Sequence, residues 1–163
     1  MALTSGTTYT LSAYVNTTAL TSITGSGVYM RVTESNGTTH TSEAVKYVTS
    51  SGVDNGWVRI ALTFTATTSG TTTVGIYGTG IVGTFYVDDV QLEKGEAPSN
   101  YNMVDNGDFQ ASTTALYWNM DDKASLYTGI GIGLGWGSNN SAARSMRIQN
   151  AIEDKYAIAY HTV

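Results

Sequence analysis

The 163-residue chain contains no cysteine, only one proline and few charged side chains. Without cysteine, neither a disulfide framework nor a thiolate-bound metal can form. Charged residues make up 13% of the chain, compared with about 25% in an average soluble domain. The net charge of −5 argues against a nucleic-acid partner, which would need a basic face. No apolar run approaches the ~20 residues of a membrane-spanning helix, so we expect no membrane insertion.

Threonine, serine, glycine and tyrosine take the place of the charged residues, with 18 glycines and 11 tyrosines. Thr and Tyr favour strands and Gly favours chain reversals, so this composition is typical of an all-β domain with many turns. The composition is also similar to that of bacterial secreted surface proteins, and we therefore expect an extracellular or cell-surface location. Because Met1–Thr4 lacks the basic region of a signal peptide, we expect the secretion signal elsewhere in a longer parent protein.

Strict alternation of apolar and polar residues predicts half-buried strands along most of the chain. The clearest runs from Trp57 to Ala66, with the even-numbered residues from Val58 to Phe64 directed inward. Similar alternation predicts further strands at 9–16, 28–33, 40–48, 72–77, 85–92, 143–149 and 155–163. A polar stretch at 17–27 separates the first two strands. No segment shows a sustained helical period.

Short motifs in these segments resemble galactose-binding-like jelly-roll modules, the carbohydrate-binding modules found beside xylanases and in bacterial surface proteins. Phe85–Glu93 resembles the last strand of such a module, and Asn102–Phe109 resembles its opening. Further similarity is found at Tyr9–Val15 and Gly56–Arg59 to its back half, and at Ser145–Ile148 and Lys155-Tyr156 to its front half. The resemblance implies an all-β fold, an antiparallel two-sheet jelly-roll β-sandwich of roughly eight to ten strands.

The matching motifs stand in permuted order, because the back half of the module comes first. Residues 1–98 correspond to the back half and residues 99–163 to the front half of the same or the next module, together one domain equivalent. One period of a tandem array has this order when it is cut within a module. Two arrangements stay open: the halves close within one chain, as in a circular permutant, or they are exchanged head to tail between chains.

A cluster of carboxylates surrounds the junction between the two halves. Asp88, Asp89 and Asp108 offer the hard oxygen ligands that Ca²⁺ prefers. The resemblance implies a structural calcium ion between the first and last strands, with side chains from Asp89 and Gln110 and a carbonyl near Gly107. Gln110 stands where the family usually has an acidic residue, which should weaken the affinity. The alternative interpretation is that Asp88 and Asp108 are exposed turn and strand-end residues.

Aromatic side chains fall on the polar faces of the predicted strands. Tyr14, Tyr29 and Tyr77, with Arg31 nearby, would form a platform on which sugar rings stack while polar neighbours bind the hydroxyls. Trp136, in a glycine-rich loop, is a candidate for a second sugar site. The alternative is that the tyrosines only stabilise the sheet through cross-strand pairs and that Trp136 closes the end of the core. The resemblance implies that two further tryptophans, Trp57 and Trp118, are packing residues of the core.

No residue pattern supports catalysis. His40 and His161 are far apart in the sequence, and Asp88 and Asp89 are expected on opposite faces of one strand, where they cannot serve as the acid and base of a glycoside hydrolase. We therefore expect a non-catalytic carbohydrate-binding module of an extracellular multi-modular protein, with a polysaccharide or cell-surface glycan as its partner. The alternative is a structural spacer repeat in an extracellular array or fibre, without a ligand and self-associating head to tail.

Overall fold

The computed structural model describes residues 2–46, 56–97, 118–120, 124–128, 144–150 and 157–162. These residues form eight β-strands and no α-helix. The strands are β1 (Thr8–Glu34), β2 (Thr39–Thr41), β3 (Trp57–Thr65), β4 (Thr72–Lys94), β5 (Asn119–Met120), β6 (Ala124–Thr128), β7 (Arg144–Asn150) and β8 (Ala157–Thr162). All of their pairings are antiparallel. Among these residues nothing forms a helix with the length and apolarity to span a membrane.

Two long strands, β1 and β4, run beside each other and contribute to both layers of a sandwich. Residues 8–16 of β1 pair with β3 on one side and with the second half of β4 on the other. The second half of β4 also pairs with β7, and β7 pairs with β6. This strand order, β3-β1-β4-β7-β6, is called layer 1. Residues 27–34 of β1 take part in layer 2, which has the order β2-β1-β4-β8-β5. The predicted all-β antiparallel sandwich is confirmed.

The core lies between the two layers and is formed by the inward side chains of alternating residues. In layer 1, Leu11, Val15 and Phe85 are fully buried, and in layer 2, Met30 and Ile76 are almost completely buried. Each such side chain contributes about 1.5–3 kcal/mol when it leaves water. The predicted inward positions Tyr9, Ala13, Val28, Val32, Ile60, Leu62 and Phe64 are buried too, as are Trp57 and Trp118. The period-2 pattern therefore predicted the inward positions correctly, except that Val58 is half-buried. It did not predict that Thr10, Ser12 and Asn16, on the other face of β1, are buried as well.

The polar stretch 17–27 is part of β1 and carries the strand from one layer to the other. Its pairing with β4 is interrupted by register shifts, which bend and twist the two strands together. On β4, Gly80 has a φ of +60°, which is the left-handed region that favours glycine. A Cβ at Gly80 would lie 2.3 Å from the backbone nitrogen of Gly25. We call the place where β1 and β4 pass from one layer to the other the corner. It depends on the close backbone contact between Gly80 and Gly25.

The strands of the predicted front half complete both layers within the same chain. In layer 1, Phe85 of β4 is the register partner of Ile148 in β7. In layer 2, Ile76 of β4 is the register partner of Ala159 in β8. In this structure the strands of the two predicted halves thus pair with each other within one chain. The predicted boundary at residue 98 lies outside the described residues.

Candidate binding surface on the outer face of layer 2

Four strands bring aromatic and polar side chains to the outer face of layer 2. Tyr29 of β1 stands opposite Tyr77 of β4. Gly75 of β4 stands between Arg31 of β1 and Tyr160 of β8. Directly opposed residues of antiparallel strands share a face of the sheet. We call this surface the aromatic face; it consists of Tyr29, Arg31, Gly75, Tyr77, Tyr160 and Asn119, the register partner of Tyr160 in β5.

Tyr77 is the centre of a packed group on the aromatic face. Its ring stacks on the ring of Tyr29, with 5.5 Å between the centroids and an interplanar angle of 13°. The guanidinium carbon of Arg31 lies 4.1 Å from the centroid of the Tyr77 ring, and Arg31 Nη2 donates a 2.7 Å hydrogen bond to the Tyr77 hydroxyl. These contacts hold Arg31 and both tyrosines in fixed positions.

Because Gly75 has no side chain, the space above it is open to the ring of Tyr77. A Cβ at Gly75 would lie 2.7 Å from Cε2 of Tyr77, so the ring occupies the space above this glycine. Tyr77 is consequently only 7% exposed, whereas Tyr160 in the neighbouring strand is 38% exposed. Tyr77 therefore supports the face, and Tyr29, Arg31 and Tyr160 are the side chains that a ligand can reach.

The residues predicted for a sugar platform are divided between the two layers. Tyr29, Arg31 and Tyr77 lie together on the aromatic face, as the sequence predicts. Tyr14 lies on the outer face of layer 1, between its register partners Arg59 and Asp88. Tyr14 is thus on the opposite side of the sandwich and does not belong to the same surface. The other predicted sugar contact, Trp136, lies outside the described residues.

Tyr160 belongs to the aromatic face but is not among the site residues that the sequence predicts. The alternation of Tyr156, Ile158 and Tyr160 indicates a strand with a large apolar face. Its position beside Gly75 results from a pairing between residues that are about half the chain apart, and alternation within a strand carries no information on such a partner.

Of the five predicted calcium ligands, Asp88 and Asp89 lie in the described residues. Asp88 is fully buried, so the alternative interpretation of Asp88 as an exposed residue is wrong. Asp89 is half-buried, has a φ of +49°, and donates its backbone N–H to Asp88 Oδ1 over 2.9 Å. A register shift against β1 at this point marks a β-bulge. The other three, Gly107, Asp108 and Gln110, lie outside the described residues, and within the described ones no three His, Cys, Asp or Glu side chains form a metal-binding group.

A second buried carboxylate, Glu34, lies at the end of β1 and was not indicated by any sequence motif. Glu34 accepts a 2.7 Å hydrogen bond from His40 Nε2, and bonds of 2.9 Å and 2.8 Å from the backbone N–H groups of Thr67 and Thr68. Burial acts to raise the pKa of Glu34, but the hydrogen bonds from Thr67, His40 and Thr68 outweigh it and lower the pKa from 4.5 to about 2. Glu34 is thus a charged clamp that ties β1 and β2 to the turn after β3.

Comparison of the chain with protein-family models, with curated proteins and with solved structures finds no match. The similarity to galactose-binding-like modules therefore rests on the sequence motifs, and the function has to be argued from the surfaces described above.

Proposed function

We propose that the protein is a non-catalytic carbohydrate-binding module of an extracellular or cell-surface protein, and that its aromatic face binds a polysaccharide or cell-surface glycan. The observation that supports this most strongly is the placement of an exposed Tyr160 on the same face as Tyr29 and Arg31. The C–H faces of a sugar ring pack on an aromatic ring, and hydrogen-bond donors beside it bind the hydroxyls. Arg31 and Asn119 supply such donors.

The spacing of the aromatic side chains favours an extended ligand. Tyr29 lies on β1 and Tyr160 on β8, with β4 between them. Neighbouring strands are about 4.8 Å apart and Tyr160 is offset from Tyr29 by two residues along the strands, so the two side chains start roughly 12 Å from each other. Between them the ring of Tyr77 lies over Gly75 and forms the base of the surface. Two sugar rings of one chain can therefore occupy the two tyrosines at once, running across the strands.

A glycan array probed with the intact protein and with two variants tests this proposal. We expect Tyr160→Ala to weaken binding to any recognised glycan by about tenfold, because loss of one stacking side chain removes on the order of 1 kcal/mol or somewhat more. Tyr14→Ala is the matched control, since this tyrosine lies on the opposite layer. It should leave the array signal unchanged, and equal losses in both variants would count against the aromatic face.

A structural repeat without a ligand is the second candidate, favoured by one specific observation. The stack of Tyr29 on Tyr77 and the contacts of Arg31 with Tyr77 stabilise the sheet by themselves. An array on which the intact protein recognises no glycan, together with melting temperatures that fall for Tyr29→Ala, would select this candidate.

We also propose a structural calcium ion near the junction, held in part by Asp88 and Asp89. The support is the full burial of the Asp88 carboxylate on an acidic chain, together with the β-bulge that re-aims Asp89. A bound ion stabilises only the folded state, so excess EDTA should lower the melting temperature and added Ca²⁺ should restore it. Identical melting curves with EDTA and with Ca²⁺ would refute the calcium proposal.

A further inference from the structure

Among the described strands, β3 forms one edge of layer 1 and pairs with β1 without a break along all nine of its residues. The bond from the Ala66 N–H to the Thr7 carbonyl shows which way the backbone of this strand faces. Antiparallel strands alternate the direction of their N–H and C=O groups. The even-numbered residues of β3 therefore bond to β1, and residues 57, 59, 61, 63 and 65 direct their backbone groups away from the sheet.

These backbone groups lie at the surface and have no strand beside them in the described part of the chain. The side chains of Arg59, Ala61, Thr63 and Thr65 are all exposed, while those between them point into the core. Sheet proteins usually protect an edge with a bulge, a proline, a lysine or a very short strand. The sequence of β3, WVRIALTFT, contains none of these devices.

Arg59 is the one charged residue of β3, and its side chain does not block pairing at the edge. Its Nη2 donates hydrogen bonds to Ser12 Oγ over 3.0 Å and to Gln91 Oε1 over 2.9 Å. Its guanidinium also lies 5.6 Å from the ring of Tyr14. All three partners belong to β1 and β4, so the side chain lies back over its own layer and leaves the edge open.

We propose that β3 is an interaction surface for a second copy of this chain, which pairs with it antiparallel about a two-fold axis at Ala61. In this register all five outward-directed residues find partners, because 57 pairs with 65, 59 with 63, and 61 with itself. Shifting the axis to either side leaves residues at one end unpaired. The smallest exposed side chain of the strand, Ala61, stands on the two-fold axis, directly opposite its own copy.

The charge distribution also fits this register. Arg59 faces a threonine, Thr63 of the partner subunit, and the two copies of Arg59 are four residues apart along the strands. That separation is about 13 Å, which exceeds the Debye length of about 8 Å at physiological salt. An axis at Arg59 would instead place the two cations opposite each other. Pairing about the axis at Ala61 joins layer 1 of both copies into one continuous sheet. It differs from the head-to-tail exchange of halves considered above, because each copy keeps its own halves.

Sedimentation velocity of the intact chain, at concentrations up to about 1 mM, tests the proposal. We expect a concentration-dependent dimer for the unmodified protein and a monomer for Ala61→Lys, because lysine at an edge prevents pairing with another strand. Thr71→Lys, with the same added charge at an exposed position outside β3, should still form the dimer. A chain that stays monomeric throughout, or an Ala61→Lys variant that dimerises like Thr71→Lys, would overturn the proposal.

Cysteine cross-linking tests the register independently of stability. The chain has no cysteine, so Ala61→Cys introduces a single thiol. Hydrogen-bonded residues of antiparallel strands have their Cα atoms about 5.5 Å apart, which lies within the range of a disulfide bond. Under mild oxidation, Ala61→Cys should form a covalent dimer, on the order of tenfold faster than Thr71→Cys. Equal rates for the two variants would contradict the two-fold pairing at Ala61.

Discussion

Gly80→Ala is expected to lower the free energy of unfolding by about 2–5 kcal/mol, which combines the left-handed backbone strain with the clash of a new Cβ. The φ of Gly80 is +60°, and its Cβ would lie 2.3 Å from the nitrogen of Gly25. Backbone atoms cannot move aside as the end of a flexible side chain can. The variant should therefore loosen the corner at which β1 and β4 cross between the layers.

Gly37→Ala is the matched control for this prediction. Gly37 has a φ of +84°, but a Cβ there would meet nothing within 4 Å. Gly37→Ala should lower the free energy of unfolding only by the conformational strain, about 1–2 kcal/mol. Urea unfolding followed by tryptophan fluorescence measures both variants. If Gly80→Ala cost no more than Gly37→Ala, the close approach at the corner would not be important for stability.

Glu34→Gln is expected to lower the free energy of unfolding by about 3 kcal/mol, because charge-assisted hydrogen bonds are replaced and donors are left facing each other. The Glu34 carboxylate accepts from the backbone N–H groups of both Thr67 and Thr68. A glutamine would direct an NH₂ group toward these donors or toward His40. Glu43→Gln, at an exposed position, is the control and should change the stability by a few tenths of a kcal/mol.

The dependence of stability on pH should also identify Glu34. Its pKa is 4.5 without the fold and about 2 in the folded state, so the folded state favours the ionised form. The stabilisation is complete above pH 4.5 and is lost as the pH falls from 4.5 toward 2. Glu34→Gln should remove this part of the acid sensitivity. Parallel pH profiles of the urea midpoint for the two proteins would show that Glu34 is not the clamp described here.

The sequence predicted the strands and their buried faces well, because alternation within a strand records which side is apolar. Trp57–Ala66 shows this most clearly. The same reasoning could not recognise that residues 17–27 continue β1, since their few apolar residues, such as Leu20 and Ile23, do not alternate with polar ones. Register shifts and glycines let the backbone pairing with β4 resume on both sides of this crossing.

The candidate surface could be predicted only in part, because it depends on which strands become neighbours. Tyr29 and Tyr77 were grouped correctly, although nothing in the sequence indicates that Gly75 would bury the Tyr77 ring. Tyr14 has the same alternation and the same chemistry, yet it lies on the other layer because β1 belongs to both. Tyr160 joins the surface through a pairing of β4 with β8 that no local pattern specifies. The clamp at Glu34 is likewise made by long-range partners.

The most direct test of carbohydrate binding at the aromatic face is a map of amide chemical-shift changes in ¹H–¹⁵N spectra as a glycan selected on the array is added. The proposal predicts that the largest changes occur at residues 29–31, 75–77 and 157–162, with the amides of β3 unaffected. Changes concentrated in layer 1, or no change with any glycan that the array selects, would contradict it.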